Sequence, residues 1–488
     1  MEQNIVYFAA DQMRADTLHH LGNPASHTPH LDALAQEGVS FSNAFCQNPV
    51  CVPSRCSFLS GLYPHTLGHR TMHFLQNEDE PNLLRIMKEN GYEVIWCGRN
   101  DVIPSDRDKT VYCDEYFSGM DPEILRQYAK HMKTQESNKK SADFSTDGYY
   151  SFYMGDVTGK PGMESMDDLI VAYALKYLER KRTEDNRKPF FLYVSLGFPH
   201  PPYGCARPFY GLTDRRALSP RRPDLSKTHG KPSMLQGIHE KQQLGQWDEE
   251  RWNELRATYL DMTAKFDALF GKLKAKLTET GLDAQTNIFV FSDHGDYTGD
   301  YGIAEKVQNC FDDPVCHVPL IIRPAQSLES KPRITPALAE LTDLTATVAE
   351  LTGIDLNYTQ FGKSLVPVLR GCDTHRSEVH CEGGRIHGEE QCMEKGHGPQ
   401  SQYWPRLSTQ ASEGPEHTKA LMLRNQHYKY VKRLYEEDEL YDLQKDPMEL
   451  NNVIHDPKYS KVILEFERKA LIFMMSTADY VPNRKDKR

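Results

Sequence analysis

The chain has 488 residues, 39% hydrophobic and 26% charged, with a net charge of −11. That length exceeds one small core and predicts one large domain with a smaller one. An acidic balance with no basic stripe argues against a nucleic-acid binder, while leaving room for a small anion met by local cations.

No apolar run is long enough to cross a membrane, and the N-terminus lacks the basic and long apolar segments of a signal peptide. The eleven cysteines are scattered without paired zinc spacing. A reduced, cytoplasmic setting is expected, although a secreted chain trimmed of its signal would read the same way.

Residues 5–10 (Ile-Val-Tyr-Phe-Ala-Ala) read as a buried strand ending in Asp11-Gln12. Ligands collect beyond the carboxyl ends of strands in open α/β sheets. Asp11 there suits a hard metal, with the Gln12 amide oxygen a second ligand; a turn or helix N-cap aspartate is the alternative. Residues 28–34 give a helix and 38–41 a short strand. Both lead to Cys51-Val52-Pro53-Ser54-Arg55-Cys56-Ser57-Phe58-Leu59-Ser60-Gly61. Pro53 suits a first helical turn, Gly61 stops the helix and Pro64 keeps it from resuming. Cys51 then lies at a helix N-terminus, where free N–H groups favour an anion and an ionised thiol. Arg55 adds a cationic fork for sulfate or phosphate oxygens. A buried structural cysteine is the other reading.

Cys51-Val52-Pro53-Ser54-Arg55 followed by Leu59-Ser60-Gly61 resembles the signature of type I sulfatases, in the alkaline phosphatase superfamily. The resemblance implies that Cys51 is converted by a separate maturation enzyme to formylglycine, whose hydrate is the nucleophile beside a divalent metal. Residues 28–34 are also similar to that family. Sulfatases usually carry two consecutive aspartates where this chain has Asp11-Gln12. The glutamine is a departure shared with some carbohydrate sulfatases and with phosphonate monoester hydrolases.

Further along, His69 and Arg70 in Gly68-His69-Arg70-Thr71-Met72-His73 are candidate substrate contacts, or parts of a polar surface loop. Residues 81–90 form an amphipathic helix and 91–97 a strand, which ends in Gly98-Arg99-Asn100-Asp101. The family commonly has Gly-Lys-Trp-His here. Arg99 then stands for the sulfate-binding lysine, while Asn100-Asp101 do not match the Trp-His pair. Asp101 is a candidate substrate contact, and His69 or His73 would take over the work of the family histidine. Residues 104–165 and 204–244 read as polar insertions near the site. Helix 167–182 and strand 190–195 lead to His200 in a proline-rich turn. It matches the family histidine that contacts sulfate or protonates the leaving oxygen; a surface histidine is the alternative.

Helix 247–280 places Leu255, Tyr259, Met262, Phe266, Leu269, Phe270 and Leu273 in the core. Strand 287–291 ends in Asp293-His294, the second half of a metal site whose oxygen ligands favour Ca²⁺ or Mg²⁺, with Mn²⁺ open through His294. Family usage favours Ca²⁺. Lys306 matches the lysine that bridges sulfate and leaving group. Residues 317–322 read as a strand, 337–353 as a core helix, and 362–367 as the end of the main domain. Arg385 and His387 lie in a Gly-, His- and Glu-rich stretch that would reach non-sulfate groups of the substrate, or form a surface loop. Residues 428–432 and 439–443 read as paired strands, and 446–452 as a turn and helix start.

The expected architecture is α/β: a large mixed, mostly parallel sheet flanked by helices, alkaline phosphatase-like, over residues 1–368. A smaller α+β subdomain with an antiparallel sheet is expected over 369–488. The expected activity is hydrolysis of a sulfate ester on a sulfated sugar, such as a glycosaminoglycan-derived 2-O-sulfated uronate. Arg55, Arg99 and Lys306 would stabilise charge on sulfate, and Lys306 or His200 would protonate the leaving alcohol. Alternatives are a broad arylsulfatase, a phosphonate monoester or phosphodiester hydrolase, and an inactive binding protein. A small sulfated substrate and the formylglycine-generating enzyme are the expected partners, without nucleic acid or membrane.

Overall fold

Short apolar runs bounded by glycine and polar turns build the central sheet. The computed structural model describes residues 3–119, 148–159, 166–184 and 188–483. Its strands are β1 (Asn4–Asp11), β2 (Val39–Phe45), β3 (Glu93–Gly98), β4 (Glu115–Phe117), β5 (Tyr153–Asp156), β6 (Phe190–Pro199), β7 (Tyr203–Cys205) and β8 (Thr286–Ser292). They continue with β9 (His317–Val318), β10 (Leu320–Arg323), β11 (Arg333–Glu340), β12 (Val379–Gly383), β13 (Ala420–Arg424), β14 (Tyr428–Arg433) and β15 (Glu439–Asp442). The main sheet runs β11-β2-β10-β8-β1-β6-β3-β4, with β9 on β2. Strands β8, β1, β6, β3 and β4 are parallel, and β10 runs against β8 and β2.

Central β1 is buried at all eight positions, as a parallel strand covered on both faces must be. Its side chains alternate between two cores. Ile5, Tyr7 and Ala9 join the one under helices Cys51–Ser60, Leu83–Glu89 and Asp343–Thr352; Val6, Phe8 and Ala10 join the one under Pro29–Glu37, Met166–Arg182 and Glu249–Glu279. The long helix buries all seven of its predicted core residues. A four-stranded antiparallel sheet, β12-β13-β14-β15, packs Leu423, Tyr430 and Leu440 against Phe466 and Phe473 of helix Ser460–Thr477. The mixed, mostly parallel sheet and the separate C-terminal sheet agree with the expected fold class.

Several local expectations give way. Residues 337–340 belong to β11, not to a helix from 337. Parallel pairing with β2 takes them, and the helix starts at Asp343, whose carboxylate accepts from the Glu340 N–H at 2.9 Å. Pro64 does more than block a helix: it opens the short helix Pro64–Leu67. Residues 446–452 hold a turn rather than a helix start. Glu449 is left-handed (φ 56°), the Asp446 carboxylate accepts from Asn451, and the final helix waits until Ser460.

The 204–244 stretch contains helix Ser233–Gln242, with Met234, Leu235 and Ile238 in the core, so it is not loop throughout. Within 104–165, β4 extends the main sheet and β5 pairs with β7. Residues 120–147 and 160–165 of that expected insertion lie outside the described residues. Among the described residues, no helix is long and apolar enough to cross a membrane.

At the carboxyl edge, β3 and β6 approach so closely that Gly98 (φ 103°) has no room for a side chain. An added Cβ would lie 1.9 Å from the Ser195 carbonyl oxygen, which also accepts from the Arg99 N–H at 2.9 Å. Gly98→Ala is therefore expected to destabilise the protein beyond the ~3 kcal/mol that bounds most single substitutions. Gly22→Ala, with φ 106° but open space around it, should cost only the left-handed strain of about 1–2 kcal/mol. Denaturant unfolding of the two variants checks the difference.

Candidate active site

The pairing of β1 with β8 brings two acids together. Ala10 lies opposite Ser292, so Asp11 and Asp293 leave the sheet side by side. Helix Cys51–Ser60 points its first residue at them. The Cys51 Sγ lies 3.6 Å from Asp11 Oδ1 and 3.2 Å from His294 Nε2. His294 Nδ1 donates to the Gly295 carbonyl at 2.9 Å, which leaves the Nε2 lone pair facing the acids. One ligand atom from each of Asp11, Cys51, Asp293 and His294 lies within 4.8 Å of the others, and all four residues are buried. Two carboxylates and an imidazole lone pair suit a hard or borderline divalent cation. A second cluster, Cys46, Cys316 and Cys381, offers only sulfur.

Arg55 locks this arrangement. Its Nε donates to Asp293 at 2.9 Å, one terminal nitrogen to Asp11 at 2.9 Å and the other to the Ser195 hydroxyl at 2.5 Å. Contrary to the expectation that it faces sulfate, its fork is spent on the acids. Arg99 also donates to Asp11, at 2.5 Å, but its side chain remains 36% exposed.

Burial opposes ionisation of Asp11, yet Arg99, His200, Arg55 and Lys306 together hold it well below the usual carboxylate range. The Cys51 thiol goes the other way from the expected easy ionisation. Burial and the Asp11 charge push it well above its ordinary value, although Lys306 opposes them. Burial and the nearby charges of Asp11 and Asp293 outweigh a helix N-terminus.

A second layer surrounds the first. The Lys306 ammonium donates to Gln12 Oε1 at 2.8 Å and to His200 Nε2 at 2.9 Å. The glutamine oxygen expected to ligate metal thus accepts from lysine, while its amide nitrogen donates to Asp296 at 2.6 Å. His200 Nδ1 donates to the Pro201 carbonyl, and burial with Lys306 depresses its pKa strongly. Burial opposes the Lys306 charge, but Cys51, Glu305 and Asp11 more than restore it. The lysine sits between two non-glycine residues in left-handed conformation, Glu305 (φ 70°) and Asn309 (φ 63°), a strain found where a side chain must be aimed. Asp101 is also left-handed (φ 41°), and its charge acts on Cys51, Arg55 and Arg99.

The other candidates are engaged elsewhere. His69 bonds through both ring nitrogens, to the Phe74 carbonyl and to Glu80. Arg70 ties its loop to the Gly384 carbonyl and to Glu389. Arg385 donates to the Ser412 carbonyl, and exposed His387 stacks on Tyr435 at 3.8 Å. His73 is exposed. The expectation that His69, Arg70 and His387 contact substrate is set aside, because these contacts are the ones a folded loop needs.

Residues without an expected role join the site instead. The Ser54 hydroxyl donates to the Asp293 carbonyl at 2.5 Å, and Ser195 ends the Arg55 fork. Asp296 anchors Gln12 and Tyr203. Glu305 lies between Lys306 (3.5 Å) and Arg406 (3.4 Å). Ser54 stands inside the Cys51–Arg55 signature and Asp296 follows closely on Asp293-His294, whereas Arg406 carries no local signal.

A profile of the sulfatase family matches residues 3–354, and one of the C-terminal region of N-sulphoglucosamine sulphohydrolase matches residues 412–474. The multifunctional alkaline phosphatase superfamily protein PehA of Trinickia caryophylli is 26% identical over 98% of this chain and 96% of its own. The Delta 4,5-hexuronate-2-O-sulfatase of Bacteroides thetaiotaomicron is 25% identical over 99% and 89% respectively. Among solved structures, the phosphonate monoester hydrolase of Agrobacterium radiobacter aligns over 99% of this chain and 100% of that one. Its TM-score is 0.75 at 22% identity, a likeness of fold.

Removing Arg55 leaves two buried carboxylates without their shared partner. Arg55→Ala should lower the stability of the metal-free protein by about 3–5 kcal/mol. A divalent cation supplies the missing positive charge, so added Ca²⁺ should raise the Tm of the variant more than that of the parent. Calorimetry with and without chelator measures both.

Proposed function

The chain belongs to the sulfatase family of the alkaline phosphatase superfamily, and from that premise we propose that it hydrolyses a sulfate ester on a sulfated sugar, a 2-O-sulfated uronate of the glycosaminoglycan type. The observation that carries the reading is the Lys306–His200 pair held beside Asp11 and Cys51. A sugar alkoxide leaves far less readily than a phenolate, so its enzyme must deliver a proton. Likeness to the hexuronate-2-O-sulfatase along nearly the whole chain supports the choice of sugar.

Asp11, Asp293 and His294 would hold one divalent cation against position 51, Ca²⁺ before Mn²⁺ or Mg²⁺. When bound, it supplies Lewis-acid polarisation of a sulfate oxygen to a nucleophile matured from Cys51 as formylglycine. Arg55 holds the two acids side by side. Arg99, held to Asp11 by one nitrogen, turns its remaining donors to sulfate oxygens, where charge grows in the transition state. Lys306 stores the proton for the departing oxygen. With its Nδ1 hydrogen pinned by Pro201, His200 presents a lone pair that keeps the lysine aligned. Gln12 fixes a second hydrogen of the same ammonium.

The residues after about 369 form a smaller subdomain beside the catalytic part. Phosphonate monoester or phosphodiester hydrolysis is a second reading, which Gln12 leaves open because both groups of enzymes carry glutamine there.

The test is sulfate release from 2-O-, 4-O- and 6-O-sulfated unsaturated uronyl disaccharides and from an aryl sulfate, with mass spectrometry of the Cys51 peptide. Turnover of the 2-O-sulfated sugar is expected once formylglycine is present. Aryl turnover alone by the matured protein would defeat the sugar reading, and cleavage of phosphonate esters alone would favour the second. Lys306→Ala should reduce kcat on the sugar by about 10²–10⁴-fold and on the aryl sulfate by much less, since a phenolate leaves without a proton.

A further inference from the structure

Buried polar atoms almost always find partners inside a folded protein, so several orphans in one place mark a site whose partner is a ligand. One such place adjoins the Lys306 loop. Arg406 is 7% exposed, yet one terminal nitrogen has no hydrogen-bond partner among the described residues, and its Nε has only the ion pair with Glu305. His417 is 2% exposed and neither ring nitrogen is bonded. The amide oxygens of Gln308 and Gln410 are buried and unpartnered as well.

The two glutamines are aimed by one acid. Glu394 accepts from Gln308 Nε2 at 3.1 Å and from Gln410 Nε2 at 3.5 Å, which leaves both oxygens free. This cluster connects directly to the catalytic groups. Arg406 Nε lies 3.4 Å from Glu305, and Glu305 lies 3.5 Å from the Lys306 ammonium that bonds His200. Charges of both signs meet here, since Glu305 and Glu394 act on Arg406. Burial first, then Arg385, Arg70 and Arg406, hold the His417 imidazole neutral, with its pKa lowered to about 3. A neutral imidazole still has one N–H to donate, and it lies in the field of three guanidinium groups.

Donors from Arg406 and His417 match a carboxylate, and the two amide oxygens match sugar hydroxyls. We propose that Arg406 and His417 form an acid-reading subsite that binds the carboxylate of the sugar whose sulfate is cleaved, with Gln308 and Gln410 accepting from its hydroxyls. This rests on the sugar-sulfatase reading and deepens it. Arg406 and His417 are then specificity residues, while Lys306 and His200 act on the ester.

The experiment compares kcat/KM for a 2-O-sulfated unsaturated uronyl disaccharide with that for its carboxyl methyl ester, using the matured protein and an aryl sulfate as reference. The parent should prefer the free acid. In Arg406→Gln, the acid-to-ester ratio should fall about 100-fold, mostly through KM, as loss of a buried charge-assisted pair does. Arg406→Lys, which keeps the charge but not the fork, should retain an intermediate ratio and guards against a folding defect. The subsite is overturned, and the sugar reading kept, if the parent takes acid and ester equally or if Arg406→Gln lowers both alike. Cleavage of the aryl sulfate with neither sugar turned over overturns both.

Discussion

Two buried carboxylates placed side by side repel each other, and everything at this site depends on how that repulsion is met. Asp11 and Asp293 are brought together by the register of two central parallel strands, a position the sheet imposes and cannot relax. Arg55 meets both with one planar group, and Ser195 takes its remaining end. A lysine could not do this, because a point charge on a flexible stem lacks two fixed directions. The clamp also explains why helix Cys51–Ser60 is buried at every position. Its fifth residue must reach the sheet edge for the first residue to face Asp11 and His294.

The parts of this site legible in the sequence are those fixed locally. An apolar run followed by an acid places Asp11 and Asp293 at strand ends, and proline, glycine and serine around Cys51 set a helix start. Lys306 and His200 were readable through resemblance in their segments. What was illegible depends on docking. Whether Arg55 faces sulfate or clamps acids follows from where its helix lands on the sheet, which no short window records. The Cys51 field follows from the same docking, so the expected helix effect is lost to burial and the Asp11 charge. His69 and Arg70 looked like ligand contacts because they are polar and near the motif in sequence, yet Phe74, Glu80, Gly384 and Glu389 satisfy them. At 337–340, a run of alanine and leucine has no period that separates helix from strand; pairing with β2 decides it.

Charge is sorted around the site by contact rather than by composition. A chain with net charge −11 collects Arg55, Arg99 and Lys306 about one cluster of acids. Each cation has a different amount of freedom: Arg55 is fully engaged, Arg99 is held at one nitrogen, and Lys306 shares its protons between an amide oxygen and an imidazole. That gradation suits three tasks that one kind of cation could not combine, namely fixing ligands, meeting growing charge and giving up a proton. The strained backbone at Glu305 and Asn309 falls on the group whose aim matters most.

The same logic extends away from the ester. Glu305 lies between Lys306 and Arg406 and is shared by both, so neither cation is fully neutralised by it. Helix Trp404–Gln410 supplies Arg406 and Gln410, and the segment before β13 supplies His417. These elements come late in the chain, whereas Asp11, Asp293, His294 and Lys306 come from the main sheet and its loops. A late segment can therefore vary without disturbing the Arg55 clamp on Asp11 and Asp293. Orphaned atoms there stay costly until a ligand arrives, so discrimination comes from matching them. A substrate without the acid would leave Arg406 and His417 as unsatisfied as they are now.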